Sequence, residues 1–219
     1  MRELWHMCSG MSSKRNQTGG NTMIEEYNII VAGVGGQGSI LLSHILGNAA
    51  IAEGYHVRVA ETYGAAMRGG AVSGHIRIGK SVFAPTVRLD NCDLLIGLEP
   101  LEGLRVGTKY ISPEGTAILN TRSLNPIDVN VGNAVYPDLN IISGSLRKLC
   151  MEVIIVDGTN LALKAGSLRT LNIVMLGASA GKGEIPISKK IVEETILRMV
   201  PPHTKEMNKK AFELGWASV

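Results

Sequence analysis

The run "NIIVAGVGGQGSILLSHIL", residues 28–46, constrains the fold of this chain more than any other stretch. Residues 28–32 are apolar and β-branched, the pattern of a strand buried on both faces of a parallel sheet. Beyond the glycines, Ile40, Leu41, Ile45, Leu46, Ala49 and Ala52 recur at helical spacing. That spacing predicts a helix over 38–53, ended by Gly54. "HVRVA", 56–60, alternates and reads as a second strand. Strand, glycine loop, helix and strand together form a βαβ unit, which closes right-handed over a parallel sheet.

The loop itself, "GVGGQG", places Gly33, Gly35 and Gly38 in a G-x-G-x-x-G pattern between strand and helix. Gly33 suits the tight turn, Gly35 lets backbone approach a ligand, and Gly38 allows close packing of the helix. The helix N-terminus then offers free N–H groups and a positive dipole end to an anion. In a dinucleotide site an acidic residue follows roughly 20 residues on and holds a ribose. Glu61 stands 23 residues after Gly38 and fits that place. A bare glycine motif serves cofactor binding and a purely structural crossover equally well, so its context decides.

The context is "ETYGAAMRGG", residues 61–70. Arg68, followed by Gly69 and Gly70, sits on a loop at the carboxyl end of the sheet, where ligands and partners dock in such folds. A guanidinium beside side-chain-free backbone is suited to gripping a carboxylate or a phosphate. Pairing of Arg68 with Glu61 or with a helix C-terminus is the plainer alternative. "AVSGHIRIG", 71–79, alternates and predicts a half-exposed strand added antiparallel to the sheet, with His75 turned outward to solvent.

Downstream, "DLLIGLE" (93–99) reads as a buried strand, and Pro100 as the first residue of a helix that Glu99 caps. "SPEGTAILN" (112–120) gives a turn and a strand, 139–149 a helix, and 152–157 a strand whose Asp157 caps the next helix, ended by Gly166. Residues 170–180 are apolar nearly all round, a buried helix. Residues 188–200 are amphipathic, with Ser188 as cap, and a last helix runs over 203–214. The fold class is therefore α/β: a three-layer, doubly wound, mostly parallel sheet with an antiparallel addition. Residues 1–22, polar and rich in Gly, Ser and Asn, read as a disordered tail before a single domain over 23–219, and Met23 is a possible start.

Composition closes several function classes. The net charge is +3, of which Arg2, Lys14 and Arg15 against Glu3 supply +2, leaving +1 for the rest. No basic stripe emerges, so nucleic acid is not an expected partner. No apolar run reaches the length of a membrane span, and a cytoplasmic protein is expected. Cys8, Cys92 and Cys150 are far apart, which excludes a disulfide framework, a zinc site and an iron–sulfur cluster carried by this chain. Cys92 and Cys150 read as small buried hydrophobes. His44 has no ligand partner one turn away and reads as a helix-surface or packing residue. "SAGKGE" lacks the P-loop spacing around Lys182, so no ATP site is expected there.

"GVGGQG" followed by "ETYGAAMRGGAVSGHIRIG" resembles the gamma domain of the 2-oxoacid:ferredoxin oxidoreductases, and in particular the small, beta subunits of the indolepyruvate type. "DLLIGLEPLEGLR", "GTAILNTR", "VYPDL", "IIVDGTNLALKAGSLRTLNIVMLGA" and "VPPHTKEMNKKAFELG" agree, so the resemblance covers about residues 27–216. It implies a hetero-oligomeric complex that oxidatively decarboxylates aryl 2-oxoacids such as indole-3-pyruvate with coenzyme A. The products are aryl-acetyl-CoA, carbon dioxide and reduced ferredoxin. It places thiamine diphosphate and the iron–sulfur clusters on a large alpha partner, with ferredoxin as acceptor and no cofactor on this chain, which alone is inactive. It carries over Gly33, Gly35, Gly36, Gln37 and Gly38, and Glu61, Tyr63, Gly64, Arg68, Gly69 and Gly70, as residues that hold a ligand or touch the partner. Arg68 would meet an anionic group of coenzyme A or a partner carboxylate. No side chain is expected to be catalytic and none to bind metal. Tyr63 stands where the family commonly shows a histidine. Three alternatives remain open at this point: the gamma subunit of a related pyruvate or 2-oxoglutarate oxidoreductase, a free-standing NAD(P)-binding protein resting on the glycine motif and Glu61, and a nucleotide-sensing regulatory module.

Overall fold

A computed structural model describes residues 24–63 and 69–219 of the chain. Six strands form one sheet: β1 (Glu26–Val34), β2 (His56–Tyr63), β3 (Ala71–Gly79), β4 (Cys92–Gly97), β5 (Ile111–Asn120) and β6 (Glu152–Val156). Their spatial order is β2-β3-β1-β4-β5-β6. β1, β4, β5 and β6 are parallel neighbours, and β3 runs antiparallel to both β1 and β2. Five strands therefore point one way and β3 alone runs against them, as the α/β expectation requires.

The position of β3 is the finding. The antiparallel strand is inserted between β1 and β2 and does not lie on an edge. It is also buried, not half-exposed: Ile76 and Ile78 face one layer, while His75 and Arg77 on the other face are 2% and 5% exposed. The expectation of a solvent-facing His75 is overturned because the segment after β3 folds back over that face, with Val82 and Val87 buried. His75 Nδ1 accepts from the Val87 N–H at 3.3 Å, and its ring meets Tyr110 edge-on at 5.1 Å. Arg77 is held by Glu26 at 2.7 Å, Asn28 Oδ1 at 3.0 Å and the Ala84 carbonyl at 2.8 Å, so each nitrogen of this buried cation has a partner.

Helices cover both faces. On one side α1 (Ser39–Ala52), α5 (Gly158–Ala165), α6 (Leu171–Gly181), α7 (Lys189–Met199) and α8 (Lys205–Trp216) pack over Ile29, Val31, Ile76, Leu94, Ile96 and Ile118. On the other, α2 (Pro100–Tyr110) and α4 (Leu139–Leu146) pack over Ile30, Ala32, Leu95, Ala117 and Leu119, and α3 (Ile127–Asn130) is a single turn in the connection between β5 and α4. The side-chain alternation of each strand feeds the two layers separately. α6, buried along nearly its whole length, meets α8 backbone to backbone: a Cβ on Gly215 would stand 2.0 Å from the Val174 carbonyl.

Local signals match the elements they predict. Pro100 opens α2, and Glu99 caps it by accepting from Glu102 N–H at 2.8 Å. Asp157 caps α5 through Asn160 N–H, and Gly166 closes it. Ser188 occupies the N-cap of α7, but its side chain makes no capping bond; its N–H instead donates to Glu53 Oε2 at 2.8 Å. α4 stops at Leu146, three residues short of the predicted end, and α8 starts at Lys205 after a short 3-10 turn over Pro202–Thr204. Cys92 and Cys150 are both buried. No helix among the described residues is long and apolar enough to cross a membrane.

Candidate functional site

The glycine loop leaves β1 at the centre of the sheet. α1, which follows β1, packs on one face, and α2, which follows β4, packs on the other. The crevice between the ends of β1 and β4 is thus the topological switch point, where ligands settle in open α/β sheets. Gln37 pins the loop there. Its Oε1 accepts the Val34 N–H at 2.8 Å, and its Nε2 donates to the Leu98 carbonyl at 3.1 Å, across the switch point. The Gln37 side chain is therefore spent inside the loop and not offered to a ligand. Asn120, fully buried at the end of β5, donates to the same Leu98 carbonyl at 3.1 Å and also holds Thr159.

Each glycine has its own situation. Gly33 lies within β1, packed against Gln37 and Leu98. Gly38 has φ +80°, and a Cβ there would meet Asn172 Nδ2 at 2.6 Å, so its close approach is to α6. Gly36 has φ +106° with open space around it. Gly35 is stitched to the second motif: its N–H donates to the Gly70 carbonyl at 2.9 Å, and its carbonyl accepts from Gly69 N–H at 3.4 Å. The two motifs singled out in the sequence are thus neighbours in space. Gly64 and Arg68 lie outside the described residues.

Beside α1 a cleft of about 630 Å³ is lined by Gly35, Gly36, Gly38, Ile40, Glu61 and Tyr63, among others. Ile40 and Tyr63 expose apolar surface at its rim. Glu61, within β2, has Oε1 2.9 Å from His44 Nε2 on α1, an ion-pair distance. Glu61 Oε1 is buried and makes no hydrogen bond of good geometry among the described residues. Spacing within α1 did not reveal the His44–Glu61 pair, because it joins two elements.

On the other side of Gly36 lies a smaller cleft of about 190 Å³, lined by Gly36, Gln37, Arg122, Leu124, Thr159, Leu168, Arg169 and Leu171. Arg122 stands just past the end of β5, and Arg169 in the turn before α6. Neither guanidinium has a partner among the described residues. Two unpaired guanidiniums and the open backbone of Gly36 line this cleft beside the N-terminus of α1, while the Thr159 hydroxyl is held by Asn120 at 3.2–3.3 Å. Such a lining suits an anion with several oxygens, such as a phosphate. Neither arginine stands in a motif that the sequence singles out; Arg122 is marked only by its place just past the end of β5, and Arg169 by its place in the turn that leads into α6.

A third feature borders the site. Glu99, 1% exposed, uses Oε2 to cap α2, while its Oε1 accepts from Leu124 N–H at 3.2 Å and from the Tyr136 hydroxyl. Burial, and next the Glu99 carboxylate, push the Tyr136 phenol well above its ordinary range, so it remains a donor. Burial raises the Glu102 carboxyl, with Arg105 at 2.7 Å opposing the shift.

Among the described residues the two cysteines are not placed to hold an iron–sulfur cluster. The Cys92 and Cys150 thiols donate to the Leu94 and Leu146 carbonyls, and burial raises both. No group of three or more metal-ligating side chains stands together among the described residues. Lys182 pairs with Glu152 at 2.8 Å.

A glycine loop pinned at the switch point of a mostly parallel sheet, with helices on both faces, defines an open, doubly wound α/β domain. The chain belongs to the pyruvate ferredoxin/flavodoxin oxidoreductase family, whose model matches residues 28–218. It is 41% identical over 189 residues, 86% of this chain and 93% of the relative, to indolepyruvate oxidoreductase subunit IorB of Archaeoglobus fulgidus. It is 36% identical over 197 residues to the protein of that name from Thermococcus kodakarensis, covering 88% of this chain and 95% of the relative. Among solved structures it is similar to the keto/oxoacid ferredoxin oxidoreductase gamma subunit of Geobacter sulfurreducens. There the TM-score is 0.64 and the identity 25%, over 88% of this chain and 97% of that one.

Proposed function

We propose that this chain is the small, beta subunit of an indolepyruvate-type 2-oxoacid:ferredoxin oxidoreductase. It works in the cytoplasm, against a large alpha subunit that carries thiamine diphosphate and the iron–sulfur clusters, and has no activity alone. The complex turns an aryl 2-oxoacid such as indole-3-pyruvate and coenzyme A into aryl-acetyl-CoA and carbon dioxide. The bond between carboxylate and carbonyl carbon breaks and carbon dioxide leaves. The acyl carbon gives up an electron pair that passes to ferredoxin, and the coenzyme A thiol loses its proton as the thioester forms. Thiamine diphosphate, bound to the partner, supplies the carbanion-stabilising chemistry.

In that reaction this chain's own residues bind and orient. Arg122 and Arg169 hold phosphate oxygens of coenzyme A, and Gly36 lets them approach the loop backbone. Glu61, Tyr63 and Ile40 line the larger cleft on the other side of Gly36, where the partner subunit closes over the loop. Similarity to the two indolepyruvate subunits supports the 2-oxoacid assignment. The observation that carries the coenzyme A role is the pair of unpaired arginines meeting the glycine loop at the switch point.

The free-standing NAD(P) reading is less favoured by the geometry. The Gly35 N–H that would face a pyrophosphate is taken by the Gly70 carbonyl. β3 separates β1 from β2, so Glu61 stands two strand spacings, about 10 Å, from the loop strand and not on its neighbour.

The test is half-saturation of the purified complex by coenzyme A after Arg122→Ala and Arg169→Ala. Each loss of a charge-assisted contact raises it about tenfold or more, with half-saturation by the 2-oxoacid unmoved. Unchanged coenzyme A half-saturation in both variants overturns the reading.

A further inference from the structure

The connection between β5 and α4, residues 121–138, crosses the carboxyl end of the sheet as a strap. It carries Arg122 at its start and two exposed valines, Val131 (62%) and Val135 (91%), in its middle. Its sequence gives it little to hold on with. Residues 130–135 are all exposed, and the backbone bonds within it are confined to the single turn after Pro126. Thr121 anchors the near end through the Val156 carbonyl and Asp157.

Asp138 holds the far end by capping α4, and the Tyr136 ring packs on the layer that contains Leu119 and Ile142. The polar ties between these two ends converge on one buried atom. Glu99 Oε1 receives the Leu124 N–H, two residues past Arg122, and the Tyr136 hydroxyl from the far end. The same hydroxyl accepts the Leu101 N–H at 3.2 Å, tying the strap to the first turn of α2. The other Glu99 oxygen is committed to the α2 cap. A carboxylate that is 1% exposed thus closes a loop of some dozen residues between Leu124 and Tyr136 and sets where the strap begins. A buried carboxylate with its donors all supplied is rigid, because any departure strands a charge in an apolar surrounding.

We propose that the Tyr136–Glu99 latch is a positioning device for coenzyme A binding: it touches no ligand, but fixes the strap so that Arg122 faces Gly36 and Thr159 across the phosphate cleft. The inference rests on the reading of that cleft and names how one of its two arginines is held. Arg169, in the turn before α6, is placed independently through Ser167 and Thr170, so the latch governs Arg122 alone. Without the hydroxyl, Glu99 still caps α2 through its other oxygen. Oε1 is then left with the Leu124 N–H as its one donor among the described residues, a buried carboxylate short of donors shifts, and the Leu124 tie two residues from Arg122 loosens, so that Arg122 samples positions away from the phosphates.

The experiment uses the whole complex and coenzyme A itself. Tyr136→Phe keeps the ring and removes only the hydroxyl, and is expected to raise half-saturation by coenzyme A roughly three- to tenfold, with turnover at saturating coenzyme A unchanged. Arg122→Ala combined with Tyr136→Phe is expected to be no weaker than Arg122→Ala alone, since the hydroxyl acts through that guanidinium. In the unmutated complex, coenzyme A is expected to slow hydrogen exchange at the amides of residues 122–135. A Tyr136→Phe complex that melts lower yet keeps its coenzyme A half-saturation shows a packing role and overturns the latch. Additive losses in the double variant overturn it too, as does strap exchange that coenzyme A leaves unchanged. If Arg122→Ala itself has no effect, the cleft reading fails and the latch falls with it.

Discussion

Gly38→Ala perturbs the point where the glycine loop becomes α1. Gly38 has φ +80°, and a Cβ there would stand 2.6 Å from Asn172 Nδ2. Two costs follow. Holding alanine in a left-handed conformation costs about 1–2 kcal/mol. Displacing Asn172 forfeits its 3.2 Å hydrogen bond to the Gly38 carbonyl, worth about 0.5–1.5 kcal/mol. The sum lowers the melting temperature of the full chain by about 5–10 °C, at the few degrees per kcal/mol usual for this length. Gly36→Ala is the comparison. Its φ is +106°, but nothing lies within 4 Å of the added atom, so it incurs the backbone strain alone. Urea unfolding of both variants, and of each combined with Asn172→Ala, separates the two costs. Asn172→Ala adds less in the Gly38→Ala background than in the unmutated chain. A Gly36→Ala variant as unstable as Gly38→Ala, or full additivity with Asn172→Ala, refutes the reasoning.

Two further outcomes concern the frame that holds the site. Burial lowers the pKa of His75 below its ordinary 6.5, so the unfolded chain binds the proton more tightly than the folded one. Stability is therefore full above that ordinary value and falls as pH drops below it, by at most about 1.4 kcal/mol per pH unit, and His75→Phe flattens the slope in urea titrations between neutral and mildly acidic pH. Gly215→Ala forces α8 off α6, because the added carbon meets the Val174 carbonyl and not a yielding side chain. The expected loss is about 3 kcal/mol in urea unfolding, and an unmoved midpoint refutes the close approach.

Much of the fold was legible because its signals are local. Pro100 and Glu99 mark the start of α2, Asp157 and Gly166 bracket α5, and the apolar run of β1 announces a central strand, each by chemistry that needs no distant partner. What escaped was non-local. Period-two alternation in β3 reads the same on an edge as in the interior. The fact that Val82 and Val87 fold back over His75 is decided by a segment with no periodicity of its own. The site divides the same way. The glycine loop and the second motif were visible as patterns, and the structure joins them through Gly35, Gly69 and Gly70. Gln37 matched a ligand-binding motif yet turns inward, because its side chain closes on Val34 and Leu98. Arg122, Arg169 and the His44–Glu61 pair were invisible, since only the crossing of separate elements at the carboxyl end of the sheet brings them together.

Whether this chain works as the small subunit of a thiamine-dependent complex is read most directly from the protein in its own host: the chain is tagged there, purified gently without air, and what accompanies it is identified. The expected result is a brown complex containing one large chain with bound thiamine diphosphate, which reduces ferredoxin when given indole-3-pyruvate and coenzyme A. A colourless protein that purifies alone, or a complex indifferent to 2-oxoacids, would contradict it.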